Sequence, residues 1–269
     1  MIIVVCVKQI MDPEVPPPLF RIDLEKKQAV KMSGVEMVMS PFDEQAVEAA
    51  VQLKEAHETP EEVSVILFSL GTPDAKDMLK HGLSMGADQA VLISSADFDV
   101  SDSFSTAAVL VTAIKNVCQP DLILTGRQAA DFDIGVVGIG IGELFNWPII
   151  SWAKALSTKS GSVTVERVLS DGSDIVECDL PVVVSIANEF GAPRKPSLRE
   201  TMKSARKPLT ELKKETLHQD LSATDYLPKQ ATVDLFAPER INNCQMIEGV
   251  SPSEIAANLV LEIKATKLI

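Results

Sequence analysis

The feature that most constrains this chain is an alternation. Short apolar runs of strand length, "IIVVCV", "VSVILF", "QAVLI" and "DLIL", alternate with segments of helical periodicity over the first 145 residues. Runs that are apolar at every position belong to strands buried on both faces, and helices of this spacing between them cover those faces. The pattern predicts a doubly wound, mainly parallel α/β sheet, Rossmann-like in plan. The first helix, "SPFDEQAVEAAVQLKEAHE", carries Ser40 as N-cap and Pro41 in its first turn. Asp43 and Glu44 suit its positive end, and Ala46, Val47, Ala50, Val51 and Leu53 form its apolar stripe. A second helix is expected from Thr72, a third over "DSFSTAAVLVTAIKNVC" and a fourth ending at Leu144.

Two segments depart from the alternation. "FRIDLEKKQAVKM" reads as a short hairpin or edge excursion. After Pro148, "SVTVERVLSDGSDIVECD" reads as two alternating strands around a Ser-Asp-Gly turn, followed by the buried strand "LPVVVSIA". That predicts an antiparallel addition at the sheet edge. From about residue 190 prolines interrupt a polar segment, and a last helix starts with Ser251 and Pro252. The expected organisation is an α/β domain over 1–190 and an extended C-terminal arm over 191–269, too short of core to stand alone and so expected to lie on another chain.

Composition narrows the function. A net charge of −13 with 4% aromatic residues argues against nucleic-acid binding. No apolar run reaches the ~18–20 residues a membrane span needs. The opening "MIIVVCVKQIMDPEVPP" reads as a first strand and not as a signal peptide. Cys6, Cys118, Cys178 and Cys244 are scattered without a CxxC pair, and three of the four sit among apolar neighbours as buried thiols would, which suggests a reducing, cytoplasmic location. His57, His81 and His218 fall into no catalytic pattern, and no residue reads as an activated nucleophile.

In an open parallel sheet, ligands bind beyond the carboxyl ends of the strands where strand order reverses. The loops of unusual chemistry all fall at that end: "VKQIMD", "SLGTP" and "GRQAADFDIGVVG" (residues 126–138), with "MSPFDE" opening the first helix. In the third of these, Gly126 permits a turn, while Gly135 and Gly138 permit close approach of a ligand. Backbone N–H groups from Ile134 through Val136 and Val137 to Gly138 would favour phosphate. Asp131 and Asp133 fit as helix-start acids, partners of Arg127, or acceptors for ribose hydroxyls. A plain strand-to-helix turn with capping aspartates fits the spacing equally.

Taken together, five stretches resemble the β subunit of electron-transfer flavoproteins over essentially the whole chain. They are "VVCVKQIMDPEV", "MSPFDEQAVEAAVQLKE", "GLSMGADQAVLI", "PDLILTGRQAADFDIGVVG…NWP" and "LPVVVSIANEFGAPRKPSLRETMKSARKP". The resemblance implies an electron-carrying heterodimer with an α subunit that holds FAD close to this chain. It implies a second nucleotide in the β subunit, AMP in ordinary members and a second FAD in electron-bifurcating ones that oxidise NADH. Carried over by position, that nucleotide would meet Cys6, Val7, Lys8 and Gln9, then Ser40, Asp43, Ser69 and Gly71, and residues 126–138, Gln128 included. Arg167 matches an Arg near the α-subunit flavin. Leu198 matches the leucine that anchors acyl-CoA dehydrogenases, with Arg194, Lys195, Arg199 and Met202 around it. A membrane-associated quinone or a ferredoxin-linked acceptor is compatible with the same resemblance.

The sequence departs from the family pattern with Ser40 for Asn, Ile134 for Thr or Cys, Val136 for Gln, and Val168 for an acidic residue. Val137 matches the bifurcating members, which tilts the second nucleotide towards FAD. The alternative is an adenine-nucleotide-binding sensor or stress-type protein on a similar fold. Such a domain would end near residue 150, and this chain continues well past it.

Overall fold

A computed structural model describes residues 1–30, 32–98, 101–217, 227–237 and 244–267. The chain forms β1 (Ile2–Cys6), β2 (Gln9–Met11), β3 (Arg21–Asp23), β4 (Gln28–Val30), β5 (Met37–Met39), α1 (Pro41–Ala56), β6 (Ser64–Gly71) and α2 (Ala75–Met85). It continues with β7 (Gln89–Ser94), α3 (Ser103–Val117), β8 (Leu122–Gly126), α4 (Val137–Phe145), β9 (Ile149–Lys159), β10 (Ser162–Leu169) and β11 (Gly172–Asp179). Last come β12 (Val182–Ile186), α5 (Leu198–Ser204), β13 (Leu209–Leu212) and α6 (Pro252–Ala265).

Nine strands make one sheet in the order β11-β10-β9-β12-β8-β1-β6-β7-β13. From β9 to β13 neighbouring strands are parallel, and β9, β10 and β11 form the antiparallel edge. The α/β class with its antiparallel addition is therefore as the sequence predicts. β1 explains why its run is continuously apolar. Ile3 and Val5 pack with α1 and α2 on one face, while Val4 and Cys6 pack with α3 and α4 on the other. The side chains of Ile3, Val4 and Val5 are fully buried.

Several local expectations shift. Thr72 to Asp74 form a turn in which the Ala75 N–H donates to the Thr72 carbonyl, so α2 starts at Ala75 and not at Thr72. Ser40 occupies the N-cap position of α1, but its hydroxyl makes no cap bond there. Elements additional to the sequence reading include β5, β9, the short α5 and β13. The excursion near residue 30 is two small ladders, β3 with β4 and β2 with β5.

The chain divides into two compact units, Met1–Asp234 and Leu235–Ile269. Residues 191–217, read from the sequence as the start of the arm, are tied into the first unit by β13, which pairs with β7 from Leu209↔Ala90 to Leu212↔Ile93. In the second unit α6 begins as the sequence predicts, with the Ser251 hydroxyl accepting from the Glu254 N–H and Pro252 in the first turn.

Candidate functional site at the reversal of strand order

Strand order reverses between β1 and β8. From β1 the chain adds β6 and β7 on one side, then returns to place β8 and β12 on the other. The loops leaving β1 and β8 must therefore part to opposite faces, and a crevice opens between them. A cavity of about 360 Å³ lies there. Cys6, Val7 and Lys8 line it from the end of β1, and Thr125 and Gly126 from the end of β8. Gln128, Asp131, Ile134 and Gly135 contribute from the following loop, and Val137 and Gly138 from the first turn of α4. Asp43 enters from α1.

Asp43 holds the crevice together. One carboxylate oxygen accepts from the Lys8 N–H at 2.8 Å and the other from the Gly126 N–H at 3.1 Å, so one side chain ties the exits of β1 and β8. Gly126 is required for that approach, because a Cβ there would stand 2.5 Å from Asp43 Oδ1 and 2.8 Å from the Phe42 carbonyl carbon. Burial pushes the Asp43 carboxyl up to about 7, against the pull of its two backbone hydrogen bonds. The consequence for stability has a definite sign. An unfolded aspartate titrates near ~3.9, so between roughly pH 4 and pH 7 the folded chain keeps a proton that the unfolded chain has released. Stability contributed by this group is full below that window, falls through it, and is lost above it, by on the order of 4 kcal/mol. The melting temperature of the wild type minus that of Asp43→Asn should therefore shrink by several degrees from pH 5 to pH 8. A constant difference would show that Asp43 ionises as an ordinary carboxyl.

The other acids are likewise committed. Asp131 accepts from Lys8 Nζ at 2.6 Å, and Asp133, in the left-handed region at φ 53°, accepts from Gln128 Nε2 at 2.8 Å. Neither pairs with Arg127. The Arg127 guanidinium instead lies between the rings of Phe42 and Trp152, 5.7 Å from each centroid. Gln9 donates to the Asp74 carbonyl, Gly71 ends β6, and Val136 is the N-cap of α4. The Ser40 hydroxyl accepts from the Ala130 N–H, which fixes the loop wall instead of capping α1. Burial pushes the Cys6 thiol up, so it faces the cavity as an inert group.

Sequence reasoning did not name the opposite wall: Leu70, Ser101, Asp102, Ser103, Thr106 and Leu110. The signal was available in "SDSFST", since Asp102 caps α3 by accepting from the Ser105 N–H at 2.8 Å. The starts of α3 and α4 thus both border the cavity, and the first N–H groups of each helix lack intrahelical partners. The buried hydroxyl of Thr125, which lines the cavity, also makes no hydrogen bond, and neither does that of Ser69, which is not part of the lining. Helix-start donors, glycine and an apolar side wall, with the acids already committed, leave a crevice whose free polar groups are mainly donors, the chemistry that suits an anionic ligand. Among the described residues no group of His, Cys, Asp and Glu could hold a metal ion.

A second cavity of about 280 Å³ shares Thr125, Gly135 and Gly138 with the first. Arg167, Trp152, Ser151 and Ser185 line its other side. Arg167 Nε is buried there without a hydrogen-bond partner, while the neighbouring Glu166 pairs with Lys154 at 2.9 Å. The predicted docking residues lie elsewhere. Leu198 and Met202, one turn apart on α5, are 79% and 70% exposed. Lys195 and Arg199 are exposed as well, but Arg194 is engaged by Glu48 and Glu55.

Fold and crevice together define a doubly wound α/β protein with its candidate site at the reversal of strand order. The electron transfer flavoprotein domain profile matches residues 29–217, and this chain belongs to that family. It is 31% identical over 270 residues to the Caffeyl-CoA reductase-Etf complex subunit CarD of Acetobacterium woodii, covering 99% of each chain. It is 36% identical over 216 residues to the electron transfer flavoprotein subunit beta of Megasphaera elsdenii, covering 78% of this chain and 77% of that one. The acryloyl-CoA reductase electron transfer subunit gamma of Anaerotignum propionicum is 32% identical over 221 residues, with 81% and 79% covered. The chain is accordingly an electron-transfer subunit of the β type, and the sensor reading falls away. No helix among the described residues is long and apolar enough to cross a membrane.

Proposed function

We propose that this chain is the β half of a cytoplasmic electron-transferring heterodimer, that it holds an adenine nucleotide in the first cavity, and that it presents α5 to an acyl-CoA dehydrogenase-type flavoenzyme. The observation that carries the nucleotide reading is the convergence of two helix starts and the unpaired buried hydroxyl of Thr125 on one crevice at the strand reversal. Backbone N–H groups of residues 135–138 and of the first turn of α3 would hold phosphate. The Lys8–Asp131 pair and the Gln128–Asp133 pair keep the loop wall in place beside it.

The redox chemistry would come from flavin, carried chiefly by an α subunit, and this chain supplies position and charge. Arg167 supports an assignment of the second cavity to the face that meets the α-subunit flavin, because its buried, unpaired Nε is the one cationic donor among the residues that line it. A cation there stabilises added negative charge in a neighbouring ring system. The arm, residues 235–269 included, is proposed to pack on the α subunit, to which α6 offers Ile255, Leu259 and Leu261.

The nucleotide in the first cavity distinguishes a simple carrier from an NADH-oxidising, bifurcating one. Val137 lines that cavity, and its match to the valine of bifurcating members supports FAD over AMP there. Acid release and chromatography of the co-purified α/β complex tests this. Two FAD per heterodimer are expected. One FAD with one AMP would make the chain part of an ordinary carrier, and one FAD alone would mean that the first cavity is not a nucleotide site.

A further inference from the structure

The loop before α5 is fastened to α1 far more heavily than an exposed docking segment requires. Gln45 Nε2 donates to the carbonyls of Asn188 and Gly191, each at 3.0 Å. Glu48 Oε2 then accepts both the Arg194 backbone N–H at 3.0 Å and Arg194 Nε at 2.7 Å, while Glu48 Oε1 accepts Arg194 Nη2 at 3.1 Å. Glu55, two turns further along α1, takes Arg194 Nη1 and Nη2 at 2.6 and 2.8 Å. The Glu48 side chain is only 6% exposed, and Gln52 Nε2 fixes its orientation at 2.7 Å.

This arrangement removes Arg194 from the steering charges. Its guanidinium is neutralised twice over by carboxylates of its own chain, whereas Lys195 and Arg199 remain exposed. A planar fork that answers two carboxylates fixes direction as well as distance, which a lysine cannot do. Three residues on, Ser197 forms with Glu200 a capping box that starts α5. Beyond α5, Lys207 Nζ donates to the carbonyls of Leu83 and Ala87 at the end of α2, at 2.9 and 2.6 Å. The docking helix is thus held at both ends, to α1 before it and to α2 after it.

We infer that Arg194 is a positioning residue: with Glu48 and Glu55 it holds the 188–197 loop in its bound form before the partner arrives, so that Leu198 and Met202 are presented without an ordering cost on binding. The inference rests on the docking role proposed for α5. Ordering a loop residue at the moment of binding weakens affinity, so a loop already ordered binds more tightly at unchanged chemistry.

The test uses the co-expressed α/β heterodimer and a purified acyl-CoA dehydrogenase that reduces the wild-type complex. Arg194→Ala, Arg194→Lys and Glu48→Gln are compared with Leu198→Ala, reading KM for the heterodimer, kcat, the dependence of KM on salt, and amide hydrogen exchange over residues 188–197. All three clamp variants are expected to raise KM roughly tenfold, the effect of ordering about one residue. They should leave kcat and the salt dependence unchanged and speed exchange in the loop. Wild-type behaviour of Arg194→Lys, or a flattened salt dependence in Arg194→Ala, would make Arg194 a steering charge and overturn the clamp. An effect of Leu198→Ala with wild-type KM in the Arg194 variants would also overturn the clamp and leave the docking role standing. An unchanged KM in Leu198→Ala would overturn the docking role and this inference with it.

Discussion

Gly138→Leu is expected to empty the first cavity of nucleotide while the sheet stays folded. Gly138 is the second residue of α4, and a Cβ built on it would stand 2.7 Å from Thr125 Oγ1 and 3.4 Å from Thr125 Cγ2. Thr125 is a buried residue of β8, and a Cβ at that distance would overlap its hydroxyl. Even one methyl group must therefore push the α4 start away from the strand, and a leucine adds side-chain volume at the wall of the cavity. Overpacking of this kind costs about 1–3 kcal/mol. Leucine is also a better helix former than glycine by just under about 1 kcal/mol, which offsets part of that cost and favours survival of the fold. The backbone N–H groups that border the cavity move with the helix start, so the loss falls on binding. Nucleotide content should drop roughly tenfold or more, the effect of losing one charge-assisted contact of ~1.5–3 kcal/mol. Content measured by acid release at the wild-type level would move the nucleotide out of this cavity. Gly138→Ala should lie between the two.

The contrast between Gly138 and Ser40 shows what the sequence could and could not reveal about the site. Glycine at a close approach leaves a mark in sequence because no other residue fits, and Gly126 and Gly138 both stand where a Cβ would collide. Ser40 was readable as an N-cap from its place before Pro41 and Asp43, yet its hydroxyl faces Ala130 across the cavity wall. That partner is 90 residues away in the chain, and no local rule identifies it. Asp131 and Asp133 are similar: their charge was visible, their choice of Lys8 and Gln128 over Arg127 was not. The parallel core was legible because its strands are apolar on both faces. β9 was less so, since "IISWAKALSTK" mixes buried with exposed positions, and Trp152 interrupts the strand with φ 64°. β13 is four residues long with only its terminal leucines partly buried, too short for periodicity to register. The wall made by residues 101–106 was missed because polar capping residues at a helix start look alike whether or not a cavity lies beside them.

Helix α1 connects the two functional regions in a way that no single motif suggests. Its first turn supplies Asp43 to the crevice, and its later turns supply Gln45, Glu48 and Glu55 to the loop before α5. One buried helix is thus the common support of a proposed nucleotide site and a proposed docking site. Substitutions in its interior should disturb both, whereas Gly138→Leu and the Arg194 variants should each disturb one.

Leu198→Ala is expected to produce the largest loss at the partner interface. A leucine that is 79% exposed at the first position of a capped helix contributes little to the stability of its own chain. Alanine there is, if anything, a better helix residue, so the melting temperature should stay within a degree or two of wild type. Truncating a central apolar anchor of an interface typically costs 2 kcal/mol or more, roughly thirtyfold in affinity. Met202, one turn away and 70% exposed, belongs to the same apolar patch, and its truncation should cost less because an unbranched side chain can repack. Lys195 and Arg199 frame the patch with positive charge on a chain whose net charge is −13, so their replacement should slow association and reduce its salt dependence. The measurement is the rate at which a purified acyl-CoA dehydrogenase reduces the heterodimer, with nucleotide content checked in the same preparations. A large rise in KM with normal nucleotide content and normal melting would place the leucine in the partner and nowhere else. Unchanged transfer would mean that α5 faces solvent throughout the catalytic cycle, and that the partner is met by the surface around Trp152 and the second cavity.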